Sequence, residues 1–511
     1  MKKILLLIAV ALFSTATYAQ KVLWNDSIVA ASENDMVVLN SPATMDKDGN
    51  LYVTGSKTMS FEFAGEELSE DAGVYIAKYD ATGKQIYAIE LLGSIAITAI
   101  TTDADSIFYV AGSFAGGAFI MGVDGLDGKY ETISNSEKDT RTATFIAKYD
   151  ANGNLLAVKS YEATTPHPDA WDLTSAYISK IVVENSKVYA QIGYTGNILL
   201  DDDLSLTASY IYLDLGGWGY VQLINNAAVL SFDADLESVA EVAKLGVAED
   251  CGSSSSISSF NFAVDGDDVY VAAYAMGDLV LTTSAGSEAF KFEYDGEGTA
   301  ERGVILSKVG AKTVKCSNIP NSAQANFNYI NGMEVINGDL IIAGTFNTTC
   351  AFDTTKVAVG ASDVFVASVD AEEFSVNWVY TNANDEGATN MYYEAVKGVA
   401  FTDDNIFVVD AGIHMQNIEA PVAKNYAVSY AGVAEETEAI AATAVAYNAN
   451  NVAYINYTDA TYITVYGDET AGIESVVVET ENNAIYDLTG RRVENAIKGI
   501  YIIGGKKVLV K

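Results

Sequence analysis

A short strand-like segment recurs seven times along the chain, each time after a turn rich in Asp, Asn or Gly. Its residues are mostly β-branched, aliphatic or aromatic, as in a half-buried strand. The turn residues before it readily adopt the positive φ that a hairpin requires. Repetition of this kind predicts a repeat architecture. The seven copies are residues 48–56, 105–113, 185–193, 267–274, 338–345, 404–412 and 450–457.

Two further segments complete the repeat. Residues 74–91 and 144–161 are nearly superimposable, and each is predicted to form two strands around an Asp-x-x-Gly turn at Asp80 or Asp150. Another strand-like segment precedes the first motif in most repeats, as at 177–184. Helical periodicity is nearly absent. Seven units of four strands predict an all-β fold, a seven-bladed β-propeller over residues 20–469, with long loops between the second and third strands.

The last unit is one strand short. It has evident strands only at 442–448, 451–457 and 462–466, whereas Lys21-Val22-Leu23-Trp24 is similar to 375–378 in the fourth strand of another unit. We therefore predict that residues 21–29 complete the last unit and remove an open sheet edge. The alternative is a free N-terminal strand lying on a neighbouring surface. Trp24 and Trp378 hold matching repeat positions and are predicted core residues.

The first nineteen residues are predicted to be a signal peptide. Lys2 and Lys3 precede an apolar run at 4–13, and small residues at Thr17 and Ala19 favour cleavage after Ala19. The new terminus is Gln20 and not cysteine, which argues against a lipoprotein anchor. No later stretch reaches the length of an apolar membrane span, so we expect no transmembrane segment in the mature chain.

Charge separates the body from the C-terminus. The whole chain carries 68 acidic and 29 basic residues, a net charge of −39, which disfavours nucleic acid and anionic membrane surfaces as partners. Residues 20–469 hold 63 acidic and 21 basic residues, whereas 470–511 hold five and six. The apolar pattern restarts there, and we expect short strands around Gly490 and around Gly504-Gly505.

Residues 470–511 resemble a type IX secretion C-terminal sorting domain. The likeness lies in 485–493, 498–503 and 505–511. It implies that the type IX secretion machinery is a partner, and that the protein passes through the periplasm to the outer-membrane surface or the medium. About the final half of the family's domain is evident, and the alternative is a small strand cap on the propeller. By this resemblance the sorting signal includes Gly490, Arg491, Gly499, Tyr501, Lys506 and Lys507.

The body resembles the SBBP-type β-propeller repeats of secreted bacterial proteins. The matching residues are a Gly-Ser pair after a short aromatic strand, followed by Ile-Ala-Lys-Tyr-Asp-Ala-(Thr/Asn)-Gly. They stand at Gly55-Ser56 with 76–83, and at Gly112-Ser113 with 146–153. The resemblance implies a fold but no fixed activity, because propellers host both binding proteins and enzymes.

Catalytic motifs are not evident. His167 and His414 have no partner at metal-ligand spacing, and the Ser-nucleophile, P-loop and dinucleotide motifs do not occur. Arg141 and Arg302 are the only body arginines, which disfavours a sialidase-like site. Glycoside hydrolysis needs only two carboxylates, so it stays open. The repeated positions of four acidic residues favour a turn role for them: Asp80, Asp150, Asp233 and Asp370.

We predict no cofactor and no metal site. Calcium is the one metal to weigh, at Asp46-x-Asp48-Gly49-Asn50 and at 201–203, but a solvated acidic turn is favoured at both. The cysteines are Cys251, Cys316 and Cys350, an odd number that leaves at least one free thiol, and we expect free cysteines to be buried.

Aromatic residues in the insertions are the candidate ligand-binding residues. Exposed rings could stack on sugars or anchor a protein partner, although they could instead pack the insertion onto the body. We predict a non-enzymatic binding or scaffold module for a glycan or a protein, and the alternative is a secreted carbohydrate-active hydrolase. A converging pair of carboxylates in a pocket would favour the hydrolase. The candidate residues are Trp171, Tyr210, Tyr212, Trp218 and Tyr220.

Overall fold

The computed structural model is all-β, and no helix occurs in the part of the chain that it describes. Accordingly, no described helix could cross a membrane. Two compact units are present, Val22–Gly467 and a second that contains the C-terminal strands. The described residues are 21–28, 42–135, 140–170, 172–214, 219–248, 255–292, 302–319, 327–359, 361–382, 392–393, 395–414, 422–436, 442–457, 460–467, 485–486, 492–493, 499–503 and 506–510.

The first two repeat units and their insertions follow the N-terminal strand. The N-terminal strand is β1 (Lys21–Ile28). Unit 1 and its insertion contain β2 (Ala43–Met45), β3 (Leu51–Lys57), β4 (Glu62–Phe63), β5 (Glu66–Glu67), β6 (Gly73–Tyr79) and the first half of β7 (Gln85–Thr102). Unit 2 contains the second half of β7, β8 (Phe108–Gly122), β9 (Gly125–Ser134), β10 (Thr140–Tyr149) and β11 (Leu155–Tyr161).

Units 3 and 4 carry the longest insertions. Unit 3 contains β12 (Ala163–Thr164), β13 (Thr174–Glu184), β14 (Lys187–Tyr194), β15 (Asn197–Leu199), β16 (Ser205–Leu206), β17 (Tyr210–Asp214), β18 (Gly219–Leu223), β19 (Asn226–Asp233) and β20 (Val239–Val247). Unit 4 contains β21 (Ser256–Asp265), β22 (Asp268–Met276), β23 (Asp278–Thr283), β24 (Gly286–Lys291), β25 (Arg302–Lys308) and β26 (Lys312–Ile319).

The remaining strands complete the body and the C-terminal unit. Unit 5 contains β27 (Asn328–Ile336), β28 (Asp339–Phe346), β29 (Asp363–Asp370) and β30 (Val376–Thr381). Unit 6 contains β31 (Tyr392–Tyr393), β32 (Val396–Phe401), β33 (Asn405–His414), β34 (Val422–Ser429) and β35 (Ala434–Glu436). Unit 7 contains β36 (Ala444–Tyr447), β37 (Asn451–Tyr457) and β38 (Thr461–Gly467). The C-terminal unit contains β39 (Ile485–Tyr486), β40 (Arg492–Val493), β41 (Gly499–Ile503) and β42 (Lys506–Val510).

Each predicted repeat strand is a strand in the structure. The seven copies of the first motif become β3, β8, β14, β22, β28, β33 and β37, the second strands of their units. These strands and the third strands are buried on both faces, as the burial of β28 and β29 illustrates. A sheet with a neighbour on each side needs such continuous apolar runs. The predicted long insertions also lie between second and third strands, but several form extra short hairpins such as β17–β18.

The N-terminal strand completes unit 7, as the sequence predicts. Its sheet has the order β1-β38-β37-β36, so β1 pairs with the last repeat strand. Trp24 on β1 is half-buried and stacks on Tyr79 of unit 1, with ring centroids 5.4 Å apart. Trp378 is also half-buried, and its indole N–H donates to the Tyr430 carbonyl at 3.2 Å. Both tryptophans therefore pack between units and are not fully enclosed core residues.

The apolar core is divided among the interfaces between units. Among the described residues, one buried cluster lies between each pair of consecutive units. A further cluster joins units 7 and 1 and includes Ile28, Val53 and Ile455. The innermost strands contact one another in chain order, and β36 of unit 7 contacts β2 of unit 1.

In units 1 and 2, the Lys of the Ile-Ala-Lys-Tyr-Asp motif contacts the turn of the following unit. Lys78 of unit 1 is buried, and its ammonium donates to the Ala151 carbonyl in the turn of unit 2 at 2.7 Å. Lys148 of unit 2 reaches Asp235 in the turn of unit 3, also at 2.7 Å. The turns of units 2 and 3 are therefore each contacted by a lysine of the preceding unit.

The C-terminal unit forms a separate four-stranded sheet in the order β40-β39-β41-β42. The strands flank 487–491 and 504–505, where the sequence predicts turns. Gly499 and Tyr501 lie in β41, and Lys506 and Lys507 lie in β42, whereas Gly490 and Arg491 are outside the described residues. The sorting role of these residues stays a prediction, as do the boundaries at 19 and 469.

Candidate ligand-binding site

A cavity of about 340 Å³ lies among the inner strands of units 3, 4 and 5. It is lined by residues near the starts of β13, β21, β27 and β19 and by residues near the end of β14. No carboxylate, Lys, Arg or His belongs to the described lining, which consists of Tyr177, Ser179, Gln191, Ile192, Gly193, Asn225, Asn226, Ala227, Ile257, Ser258, Ser259, Phe260, Tyr329, Ile330 and Asn331.

A repeated β-bulge aims polar side chains into this region. The inner strands of units 3, 4 and 5 each shift register at one residue, which is Ser179, Ser258 or Asn331. All three residues line the cavity. Units 2 and 6 shift register at the same place, at Thr98 and Lys397. A bulge re-aims a side chain and is frequent beside functional sites.

Two tyrosines line the cavity, Tyr177 from unit 3 and Tyr329 from unit 5. Tyr177 is 40% exposed and Tyr329 is 41% exposed. The Tyr177 ring lies against the backbone of Gly193, where a Cβ would be 2.4 Å from Cζ of the tyrosine. Gly193 is therefore required for this ring position. Tyr329 packs beside Phe327, with ring centroids 5.0 Å apart.

Several uncharged polar groups are available to a ligand. Ser258, Asn225 and Asn331 are exposed. Asn331 donates from Nδ2 to the Val396 carbonyl at 3.3 Å, which leaves its Oδ1 as an acceptor. Gln191 donates from Nε2 to Ser179 and to the Phe260 carbonyl, both at 2.9 Å. Its Oε1 is buried and has no partner within the described part of the chain. Aromatic faces and amide or hydroxyl groups together suit a sugar.

A lysine of unit 3 joins the inner strands of units 3, 4 and 5. Lys180 on β13 donates to Asn261 at 2.9 Å, to the Phe262 carbonyl at 2.6 Å and to the Met333 carbonyl at 3.1 Å. These contacts use all three N–H donors of the ammonium. Burial lowers the pKa of Lys180, and the nearby Glu334 carboxylate opposes this shift. Lys180 therefore acts as a cross-link between inner strands.

Glu334 is the acidic residue near Lys180. Tyr447 of unit 7 donates from its hydroxyl to Glu334 Oε2 at 2.8 Å. Burial raises the pKa of Glu334, against the opposing effects of the Tyr447 hydrogen bond and of Lys180. A carboxyl group with a raised pKa can serve as a general acid. Glu334 does not belong to the described lining of the cavity.

The aromatic residues that the sequence singled out lie on a hairpin beside the cavity. Tyr212 is 57% exposed and Tyr210 is 39% exposed on β17, and Tyr220 is half-buried on β18. Trp171 and Trp218 lie outside the described residues. None of the three tyrosines lines the cavity, but the hairpin is tied to it because Ser209 donates its backbone N–H to Asn226 Oδ1 at 3.1 Å. Their ligand-binding role stays a prediction.

The sequence analysis missed Tyr177 and Tyr329, although a signal was present. Each begins a Tyr-Ile-polar tripeptide, at 177–179 and at 329–331, and the polar residue is the bulged one. Unit 4 has Ser256 at the corresponding place. The shared tripeptide marks two inner strands, but strand propensity alone does not show that they face a common cavity.

The repeated aspartates have the turn role that the sequence favours. Asp80 Oδ1 accepts the backbone N–H groups of Thr82 and Lys84, at 2.9 and 3.0 Å. The Thr82 hydroxyl and these N–H groups hold the pKa of Asp80 below its usual range. The same pattern recurs at Asp150, Asp233 and Asp370.

The two acidic segments considered for calcium are also bonded to their own turns. Asp46 Oδ1 accepts the backbone N–H groups of Asp48 and Asn50. Asp201 Oδ1 accepts those of Asp203 and Leu204. No cluster of three metal-ligating side chains occurs among the residues with a described position.

The remaining chemical candidates lie away from the cavity lining. His167 accepts the Asp169 backbone N–H at 3.1 Å and packs beside Tyr210, with ring centroids 5.2 Å apart. Cys350 is a buried free thiol, as expected, and burial raises its pKa to about 11. Cys251 and the side chains of Cys316 and His414 are outside the described part of the chain.

Several solved structures resemble this chain in shape at low sequence identity. The α-L-arabinofuranosidase arb93a of Fusarium graminearum, a β-propeller-like protein, matches over 81% of this chain and 99% of its own, with 11% identity and a TM-score of 0.37. A luciferin-regenerating enzyme matches over 88% of this chain and 96% of its own, with 10% identity and a TM-score of 0.32.

A third similar structure is a GH43 endo-arabinanase from Bacillus licheniformis. It matches over 67% of this chain and 96% of its own, with 10% identity and a TM-score of 0.26. No protein-family model matches this chain, and no curated protein matches it in sequence. Similarity at this level assigns no activity.

Proposed function

We propose that residues 20–469 form a seven-bladed β-propeller of the SBBP repeat type, closed by the N-terminal strand. Support comes from the pairing of β1 with β38 and from the apolar cluster between units 7 and 1. The cyclic contacts of the inner strands agree with this arrangement. A closed ring removes the exposed sheet edges that invite aggregation.

The propeller recognises a carbohydrate at the cavity between Tyr177 and Tyr329. The observation that carries this proposal is a pair of exposed tyrosine rings beside uncharged amide and hydroxyl groups. Tyrosine offers a rigid apolar face to a sugar ring, and the amides and hydroxyls bind its hydroxyl groups. The described lining holds no pair of carboxylates, so recognition without hydrolysis is the function that this cavity supports best.

The test is binding of the mature full-length chain to a glycan array, followed by calorimetry with the sugar that binds. Tyr177→Ala and Tyr329→Ala should each weaken that affinity by about tenfold or more, in the range of aromatic interface anchors. Tyr130→Ala is the matched control, because Tyr130 is 45% exposed on β9, outside the cavity. Equal losses in all three variants, or no glycan bound, would reject the proposal.

Hydrolysis is the second candidate, and Glu334 favours it. This residue combines a raised pKa with a hydrogen bond from Tyr447, which suits a general acid. Two of the structures to which this chain is similar, an arabinofuranosidase and an endo-arabinanase, are themselves glycoside hydrolases. Purified protein should then release reducing ends from arabinan oligomers, and Glu334→Gln should abolish the release. Equal turnover by wild type and Glu334→Gln would eliminate this residue as the acid.

Export is proposed from the two ends of the chain. Residues 1–19 act as the signal peptide, and 470–511 direct the body through the type IX secretion machinery to the cell surface or the medium. The test is removal of 470–511 in the native host. The truncated protein should accumulate in the periplasm, and unchanged delivery to the surface or medium would contradict the sorting role.

A further inference from the structure

We infer that the Tyr177–Tyr329 cavity selects uncharged sugar chains and discriminates against uronate and sulfated ones. This inference rests on the proposed carbohydrate function and adds the chemical class of the ligand. The lining polar side chains are hydroxyls and carboxamides, among them Ser179, Ser258 and Asn331. These groups donate and accept hydrogen bonds equally well, as sugar hydroxyls require, but they do not neutralise an anion.

Two cations of units 3 and 4 are already engaged with groups of the protein. Lys180 directs its three N–H donors to Asn261, Phe262 and Met333, so its ammonium is saturated. Arg302 is engaged with the hydroxyl of Tyr274. A carboxylate or sulfate placed beside the two tyrosines would lose water without gaining a charged partner, which is unfavourable.

The net negative charge of residues 20–469 also disfavours the binding of anionic sugars. Residues 20–469 carry 63 acidic and 21 basic residues, so the surface repels an approaching anionic chain. This repulsion acts over roughly 8 Å at physiological salt and weakens as salt is raised. A neutral oligosaccharide is unaffected by it.

Lys397 is the cation that could favour an anionic sugar over a neutral one. It occupies the bulge of unit 6, and the preceding residue, Val396, accepts the Asn331 Nδ2 hydrogen bond. Lys397 is not part of the described cavity lining. It therefore provides a direct control for the inference, since its removal should leave the binding of a neutral sugar unchanged.

The experiment compares galactose oligomers with galacturonate oligomers of equal linkage and length, and mannose oligomers with mannuronate oligomers. Calorimetry on the mature full-length chain at low salt should show at least one neutral oligomer binding about tenfold tighter than its uronate partner, equivalent to about 1.4 kcal/mol. Ser258→Lys should reduce or reverse that ratio by placing an ammonium in the cavity. Lys397→Met should leave it unchanged.

The possible outcomes distinguish failure of the selectivity from failure of the proposed carbohydrate binding. Uronates that bind as tightly as neutral oligomers, or more tightly, overturn the selectivity but support carbohydrate binding. If that uronate affinity then falls in Lys397→Met, Lys397 supplies the anion contact and the inferred ligand class is wrong. Absence of binding by all four oligomers contradicts the carbohydrate function and the selectivity together.

Discussion

Trp24 of the N-terminal strand lies with its indole directly against Gly83, in the Asp-x-x-Gly turn of unit 1. A Cβ on Gly83 would be 2.6 Å from Cδ2 of the tryptophan, and the φ of Gly83 is +84°. The turn therefore needs glycine for two reasons, its backbone conformation and the ring that covers it. This contact joins the N-terminal strand β1 to the turn of unit 1.

The same relationship recurs where no chain end is involved. Tyr87 of unit 1 covers Gly153 of unit 2, and Trp378 of unit 5 covers Gly432 of unit 6. An aromatic residue on the outer strand thus packs on the turn glycine of the next unit. Because Trp24 repeats this contact, the junction between units 7 and 1 resembles the junctions between units 1 and 2 and between units 5 and 6.

Gly83→Ala should lower the free energy of unfolding by more than the backbone strain alone, which is roughly 1–2 kcal/mol for a left-handed residue. Gly65→Ala is the matched control, because Gly65 has a φ of +85° and no atom within 4 Å of its added Cβ. Urea unfolding of the mature chain measures both. In a Trp24→Ala background the extra cost of Gly83→Ala should disappear, as a double-mutant cycle would show. Equal losses of unfolding free energy for the two glycine variants would show that the Trp24–Gly83 contact does not add to stability.

Lys78→Met should destabilise the protein by about 1 kcal/mol, because the half-buried Ala151 carbonyl loses its ammonium donor and keeps only the Tyr87 hydroxyl at 3.2 Å. Lys84→Met is the control, since Lys84 is exposed on the turn of unit 1. The midpoints of urea unfolding check this prediction. If both variants unfold like the wild type, the repeated lysine has no role in joining the units.

Ser258→Ala should mainly weaken glycan binding, whereas Ser259→Ala should mainly lower the stability of the fold. Ser259 Oγ accepts the Ile330 backbone N–H at 3.0 Å, so its loss should cost about 1 kcal/mol of stability. Ser258 is exposed in the cavity and lies at the bulge, so its loss should weaken glycan affinity severalfold and leave the melting temperature unchanged. Calorimetry and thermal unfolding check the pair. The reverse assignment of the two effects would show that the bulge does not present Ser258 to a ligand.

Stability should fall steeply at alkaline pH. Burial raises the pKa of Tyr161 and of Tyr274 to about 12, whereas an unfolded tyrosine titrates near 10. Between these values the unfolded chain binds fewer protons than the folded chain, so unfolding becomes easier by up to about 1.4 kcal/mol per pH unit for each such tyrosine. Unfolding free energies between about pH 9 and 12, with tyrosinate absorbance, test this. Titration of all tyrosines near pH 10 in the folded protein would contradict it.

Local patterns in the sequence predicted the repeat well. The strand motifs, the Asp-x-x-Gly turns at Asp80 and Asp150, and the missing strand of unit 7 each depend on residues close together in the chain. The extra hairpins in the insertions were not predicted, because short polar strands lack a clear alternation. The tryptophans were placed correctly in the repeat but not in the core, since an outer strand is covered on only part of its surface.

The amino-acid sequence by itself determined the repeated strand motif, the turn chemistry and the pairing of the N-terminal strand with the last repeat strand, because hairpins and their glycines are specified locally. Only the tertiary structure decided which side chains share the cavity. Tyr177 and Tyr329 are 152 positions apart in the numbering, and they line the same space because three inner strands with the same bulge lie side by side. Such a site depends on the packing between units, and no pattern within one unit encodes it.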